Sequence, residues 1–237
     1  MSSSLRGPLP IVPQDSTDAG ELYATSLVRM AALPATVDEV LREMEDVARE
    51  EQIPVVGRLE GMLLQTLASL PGPSTRRILD IGTAIGYSAI WLARALAPGG
   101  RVTTIEIDPV RAERAARFIE RAGYADRVDV LVGDAFDMLP ELGEFDVIFQ
   151  DVMKHRYFGD DPSKAAELLK LSKSHLDPQG VLFIDNAFCG NHVLDEGDPD
   201  SIEARGVRLM NELLAQDADF TSVILPIRDG LWVARRS

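Results

Sequence analysis

Two groups of residues, each built around acids, are placed where chemistry could be done. Asp80 stands ahead of a glycine loop, in the run Asp80-Ile81-Gly82-Thr83-Ala84-Ile85-Gly86-Tyr87-Ser88. Glycines at a strand-to-helix turn let the backbone approach a ligand closely, and the helix start offers N–H groups without intrahelical partners. A dinucleotide turn prefers G-x-G-x-x-G with pyrophosphate seated on the helix. Here the spacing is G-x-x-x-G behind a carboxylate, which suits a cationic ligand carrying an ammonium group better than pyrophosphate. That favours S-adenosylmethionine. Glu106 comes 106 − 82 = 24 residues after Gly82, in Thr104-Ile105-Glu106-Ile107-Asp108-Pro109, where an acid accepts hydrogen bonds from ribose hydroxyls. Further on, Gly133-Asp134-Ala135 leaves room for a flat adenine, with Asp134 suited to capping the next helix. Gly82, Thr83, Gly86, Ile107 and the backbone of Ala135 are therefore candidate cofactor contacts. Asp80 is assigned to the methionine portion, Ser88 to its carboxylate and Glu106 to the ribose. The plainer reading is that Asp80 and Glu106 cap strand ends or neighbouring helices.

A second group is Asp151, Lys154 and the pair Asp185-Asn186. Two carboxylates and an amide oxygen make a hard-oxygen set that suits Mg²⁺ first, with Mn²⁺ or Ca²⁺ as alternatives. Turn and cap chemistry is the competing explanation for Asp and Asn at strand ends. A lysine near a divalent cation is a candidate base, because the like charge favours its neutral form.

The elements that must position these residues are legible from pattern. Before residue 76, apolar positions Val37, Val40, Leu41, Met44 and Val47 predict an amphipathic helix over 37–51, and another spans about 57–70, ended by Pro71-Gly72-Pro73. Strands at 77–81, 101–105, 128–132, 145–150 and 180–184 then alternate with helices at 87–96, 109–122, 135–141 and 161–175. That alternation is the signature of a doubly wound, mostly parallel α/β sheet. After a helix at 202–215, strands 221–227 and 231–235 are joined only by Arg228-Asp229-Gly230, which forces an antiparallel hairpin. Asp151 and Asp185 thus fall at the carboxyl ends of the fourth and fifth strands, where open α/β sheets gather ligands.

The organisation expected is a Ser/Pro/Gly-rich arm over 1–20 and one domain over 21–237, with helices in 21–72 and the sheet core in 73–237. The 237 residues carry a net charge of −14, which speaks against a nucleic-acid partner. Arg111, Arg114, Arg117 and Arg121 share one helix face with Glu113 and Glu120 and read as a solvated face. No apolar run is long enough to span a membrane, the N-terminus lacks a signal-peptide core, and one cysteine, Cys189, excludes an internal disulfide. A cytoplasmic location is expected. Cys189 reads as a packing residue, His192 as a loop residue, 195–200 as a solvated acidic loop, and Trp91 and Trp232 as core or interface residues.

The stretch LDIGTAIGYSAIWLARAL, followed by TIEIDP, VGDA, FQDVMKHRY, FIDN and the ending LPIRDGLWVARR, resembles the catechol and caffeoyl-CoA O-methyltransferase families. The similarity runs from about Val56 to the C-terminus. It implies a class I, Rossmann-like methyltransferase sheet of seven strands. It also implies that Asp151, Asp185 and Asn186 are metal ligands, that Asp151 and Val56 line the cofactor pocket, and that Lys154 is the catalytic base. The implied activity is metal-assisted methyl transfer from S-adenosylmethionine to a hydroxyl of a small catechol-like or other phenolic substrate, by a homodimer. Two departures stand out. Asp151-Val152-Met153-Lys154 lacks the second Asp of the D-A-D-K common in the caffeoyl-CoA group, and Met153 replaces the Trp of animal catechol enzymes. The competing readings are an NAD-dependent oxidoreductase on a similar sheet and a non-catalytic cofactor-binding protein.

Overall fold

Runs of aliphatic and aromatic residues such as RILDI and FDVIFQ pack well as strands buried on both faces. In the computed structural model, which describes residues 19–29, 33–70, 75–158, 161–194 and 202–237, seven such runs form one sheet. They are β1 (Arg77–Ile81), β2 (Arg101–Glu106), β3 (Val128–Val132), β4 (Phe145–Gln150), β5 (Leu176–Ile184), β6 (Phe220–Leu225) and β7 (Leu231–Arg236). Their order is β3-β2-β1-β4-β5-β7-β6. The four pairings from β3 to β5 are parallel, and β7 lies antiparallel between β5 and β6. The doubly wound sheet with a terminal hairpin is the architecture that the sequence predicts.

Register places the chemistry. Ile81 pairs with Ile105 on one side and Gln150 on the other, and Gln150 pairs with Ile184. The residues just beyond those pairs are Glu106, Gly82, Asp151 and Asp185. Four neighbouring strands therefore present the predicted groups in a row along one edge. Ile184 also pairs with Trp232 in the antiparallel sense, so the hairpin turn that carries Arg228 and Asp229 arrives at that same edge.

Alternation along each strand splits the core into two layers. Ile78, Val147, Phe149, Val181 and Phe183 face one cluster; Leu79, Ile81, Ile148, Leu182 and Ile184 face the other. The first layer is covered by α2 (Ala35–Glu51), α3 (Gly57–Ser69), α4 (Tyr87–Ala95) and α5 (Pro109–Arg121), following α1 (Ala19–Arg29). The second is covered by α6 (Ala135–Met138), α7 (Lys154–Tyr157), α8 (Ser163–Ser174) and α9 (Ile202–Gln216). Leu41, Met44, Leu64 and Trp91 are fully buried in the first layer, each contributing roughly 2 kcal/mol of apolar transfer.

Several boundaries differ from the pattern-based ones. The first described helix starts at Ala19, inside the expected arm, whose residues 1–18 lie outside the described residues, as do 71–74 and 195–201. The 135–141 helix breaks into α6 and a 3₁₀ turn at Leu139–Glu141, because Pro140 has no N–H to continue the ladder. β5 starts at Leu176, with Gln179 left-handed at φ 69° and a register shift opposite Phe145. Two short elements, α7 and a 3₁₀ turn at His192–Leu194, were not expected at all. The arginine face of α5 is also more than solvated. Arg114 pairs with Glu51 at 2.6 Å and Arg121 with Glu43 at 2.8 Å, joining α5 to α2.

Deeper in the layer, Arg58 has a side chain only 1% exposed and binds Asp38 at 2.5 Å and Glu45 at 2.6 Å. Tyr87 donates to the same Glu45 at 2.8 Å. This cluster ties α2, α3 and the first residue of α4 together, just beside the glycine loop. Removing one partner of a buried ion pair leaves the others unbalanced, and such losses run to about 3 kcal/mol. Arg58→Met is therefore expected to lower urea-unfolding stability by about 3 kcal/mol, with Arg58→Lys recovering part. A loss under about 1 kcal/mol, the range of surface pairs, would show the cluster to be dispensable.

Candidate active site

The glycine loop is shaped by contact as much as by turn geometry. Gly82 has φ 107°, and a Cβ there would stand 1.9 Å from the Asp151 carbonyl oxygen. No side chain fits between those two strand tips. Glu106 holds the loop from the other side: its carboxylate accepts from Ala84 N at 2.8 Å and from Asp108 N at 3.0 Å. Gly86, at φ 90°, turns the chain into α4.

Asp80 sits behind this loop. Its place in the alternation of β1 points it into the α3/α4 layer, where it is fully buried. Thr104 donates to it at 2.8 Å and Ser88 at 3.1 Å, and Thr83 and Thr104 share a hydroxyl contact at 2.5 Å. Burial pushes the Asp80 carboxyl up to about 7, against the two hydroxyl bonds that hold it down. The carboxyl thus braces the loop through its neighbours.

A cavity of ≈ 400 Å³ opens over the row of strand tips. Gly82, Glu106, Ile107, Asp151, Lys154, Asp185 and Asn186 line it, so the structure brings together both predicted groups. Val56, Asp80, Thr83, Gly86, Ser88 and Ala135 stand outside its lining; Pro54 and Val55 line the wall beside Val56. Asp134 caps α6, accepting from Phe136 N at 2.9 Å, and the Ala135 backbone lies in hydrogen-bonding reach of the buried Tyr157 phenol. His192 and Cys189 line the cavity too. Burial pushes the Cys189 thiol up to about 11, consistent with a packing role. Trp91 and Trp232 are buried in the core.

The acids around Asp151 crowd one another. Desolvation first, and the charge of Asp185 second, push Asp151 up to about 7. Asp185 is likewise raised by burial, offset by Lys154 and by the Asn186 N–H, which donates to it at 2.6 Å. Lys154 is buried and donates from Nζ to the Asp185 backbone oxygen at 3.1 Å. Asn186 is left-handed at φ 59°, a conformation that Asn tolerates better than most residues. Among the described residues no three carboxylate, imidazole or thiolate groups converge as a cage; the set is two carboxylates with an amide oxygen. Such oxygen donors fit a hard divalent cation and leave room for other oxygens.

Two neighbours escaped sequence reasoning. Glu60 lies on the buried stripe of α3, one turn before Leu64, and is 0% exposed. Arg228, in the hairpin turn, faces it with Nε 3.4 Å from Oε2. The available signals were an acid on an apolar helix face and a cation in a turn aimed at the carboxyl edge.

Comparison with known proteins agrees with this geometry. An O-methyltransferase family model matches residues 31–237. A catechol O-methyltransferase of Mycobacterium tuberculosis is 40% identical over 60% of this chain and 63% of its own length. Another, from Niastella koreensis, is 36% identical over 70% of this chain and 72% of its own. An O-methyltransferase from Bacillus cereus, solved with S-adenosylhomocysteine, superposes with a TM-score of 0.75 at 31% identity, covering 92% of this chain and 97% of that one. One from Streptomyces achromogenes, involved in tomaymycin synthesis and solved with S-adenosylmethionine, gives 0.74 at 33%, covering 93% and 96%.

The buried Asp80 carries a pH signature. Its folded pKa of about 7 exceeds the ordinary 3.8, so between those values the native state holds a proton that the unfolded chain has lost. Stability from this group is therefore full below about pH 4 and falls as pH rises towards 7. Asp80→Asn cannot ionise, so its unfolding free energy should decline less than wild type between pH 4 and 7. Parallel urea profiles for the two proteins would show that Asp80 contributes no such term.

Proposed function

This chain belongs to the O-methyltransferase family and is an S-adenosylmethionine-dependent O-methyltransferase; we propose that it methylates a hydroxyl of a small catechol-like acceptor with the aid of a divalent cation, Mg²⁺ before Mn²⁺ or Ca²⁺. The observation that carries this reading is the run of strand tips that sets Glu106 and Gly82 beside Asp151 and Asp185 on one cavity. Cofactor groups and oxygen donors are thereby adjacent, as methyl transfer between them requires.

In this reading Glu106 binds the ribose and the Gly82 backbone lets the sulfonium end approach Asp151. Asp151, Asp185 and Asn186 would hold the cation, which would lend Lewis acidity to two vicinal hydroxyls. Four carboxyl groups, Glu60, Asp151, Asp185 and Asp229, stand near two basic ones, Lys154 and Arg228, and all four carboxyls are raised in pKa. Burial is the largest cause in each case, and a bound dication would favour the ionised forms. Lys154, held on the Asp185 backbone, takes the hydroxyl proton, and the oxygen then attacks the methyl carbon in line as the sulfonium bond breaks. Val152, Met153 and Tyr157 supply apolar wall around the reacting centre and keep water from it. The names of the catechol O-methyltransferases at 40% and 36% identity support the acceptor class. A phenolic small molecule, a homodimer and a cytoplasmic location belong to the same proposal. No described helix is long and apolar enough to cross a membrane.

Two measurements test it. Excess EDTA should abolish methylation of a catechol, and Mg²⁺ should restore it; undiminished turnover in chelator would remove the cation from the mechanism. Lys154→Ala should lower kcat by ~10²-fold or more while leaving the calorimetric affinity for S-adenosylhomocysteine within a few-fold. Loss of both together would make Lys154 a structural residue.

A further inference from the structure

Arg228 lines the cavity, and the proposed chemistry gives it no task. It sits in the hairpin turn between β6 and β7 at φ 51°, a left-handed conformation that costs a non-glycine residue of order 1 kcal/mol. Its guanidinium crosses to the start of α3, where Nη2 donates to the Val55 carbonyl at 3.1 Å. The chain has made room for it. Gly57 has φ 68°, and a Cβ there would come within 2.9 Å of Arg228 Nη1. Glu60, fully buried beside the Asp185 carboxyl, faces Nε at 3.4 Å. A strained turn, a required glycine and a buried carboxyl together fix one cation at the cavity wall.

Its position along the cavity selects the ligand group. Glu106 marks the ribose end. Arg111 starts the helix capped by Asp108, and Arg156 also acts on Asp108, so both arginines stand on that side. Arg228 stands with Val55, beside the tip where Asp151 packs on Gly82. The amino-acid end of S-adenosylmethionine is a zwitterion that must lie beyond the sulfonium. Asp151 suits its ammonium group. Ser88, expected from sequence to meet the carboxylate, donates its hydroxyl to Asp80.

We propose that Arg228 binds the α-carboxylate of the cofactor's methionine half. The assignment rests on the cofactor in the reading above and is independent of its cation and acceptor. Guanidinium–carboxylate pairing is charge-assisted and bidentate, and it distinguishes carboxylate-bearing ligands from those without one.

The test compares S-adenosylmethionine with decarboxylated S-adenosylmethionine by calorimetry, in EDTA and without acceptor, so that failure of the cation or acceptor proposals leaves its outcome unaffected. Arg228→Gly suits the left-handed turn and should fold; a melting curve verifies this. Affinity for S-adenosylmethionine should fall by ~10- to 100-fold in this variant, while that for the decarboxylated compound stays within about twofold. Arg228→Lys should recover part of the loss, because it keeps the charge without the fork. An equal fall for both ligands would make Arg228 a post for the α3 start, and no fall for either would leave the carboxylate to another group; both outcomes overturn the proposal. Unchanged cofactor affinity with a raised KM for acidic catechols alone would likewise overturn it, by placing the acceptor's carboxylate there.

Discussion

The site depends on the hydrogen-bond register of four adjacent parallel strands. Because Ile105, Ile81, Gln150 and Ile184 lie level across the ladder, the next residue of each strand emerges at the same edge. A slip of one residue in β4 would send Asp151 towards a helical layer and bring Val152 to the rim. The two apolar layers prevent that slip, since it would also reverse Val147, Ile148 and Phe149 between clusters that each strand face fills completely. Packing far from the cavity therefore keeps its carboxyl groups in line.

That constraint explains how much could be read in advance. Strand runs, their alternation with helices and the short Asp-Gly connection determine which residues lie at carboxyl ends, and the places of Gly82, Glu106, Asp151, Asp185 and Asn186 follow from it. Asp80 was legible as a special acid but not in its orientation. Period-two alternation points it inwards, with Ile78 on its face and Leu79 and Ile81 on the other, so its ligands are Thr104 and Ser88. Glu60 and Arg228 were not legible because they are 168 residues apart (228 − 60) and meet only once the hairpin folds against α3. No local pattern encodes such a pair. The helix over Lys154–Tyr157 is four residues long, too short for periodicity to announce it.

The two helical layers divide the work. The α2–α5 layer carries the buried Arg58 cluster, Asp80 with its hydroxyls, and Glu60, all of them polar groups enclosed in apolar packing. Each is balanced within the layer or against the hairpin turn, which makes the wall behind the cofactor stiff. The opposite layer brings α7, and with it Lys154 on the Asp185 backbone, to the cavity. Asp80 and Lys154 are thus supported by separate cores that meet at the strand tips. Tyr87 links to Glu45 in one layer, whereas Tyr157 reaches the Ala135 backbone in the other.

One departure from the families that the sequence resembles lies in the cavity wall. Met153 follows Asp151 by two residues and lines the cavity, its sulfur accepting from Arg111 Nη1 at 3.3 Å. An aspartate here would add a charge to an already crowded acidic group, and a tryptophan would present a rigid flat face. A thioether does neither: it is apolar, polarisable and free to change rotamer. The charge balance that suits a cation can thus be kept while the shape beside the acceptor varies. Register sets the strand-tip groups, while Met153 shapes part of the wall beside them.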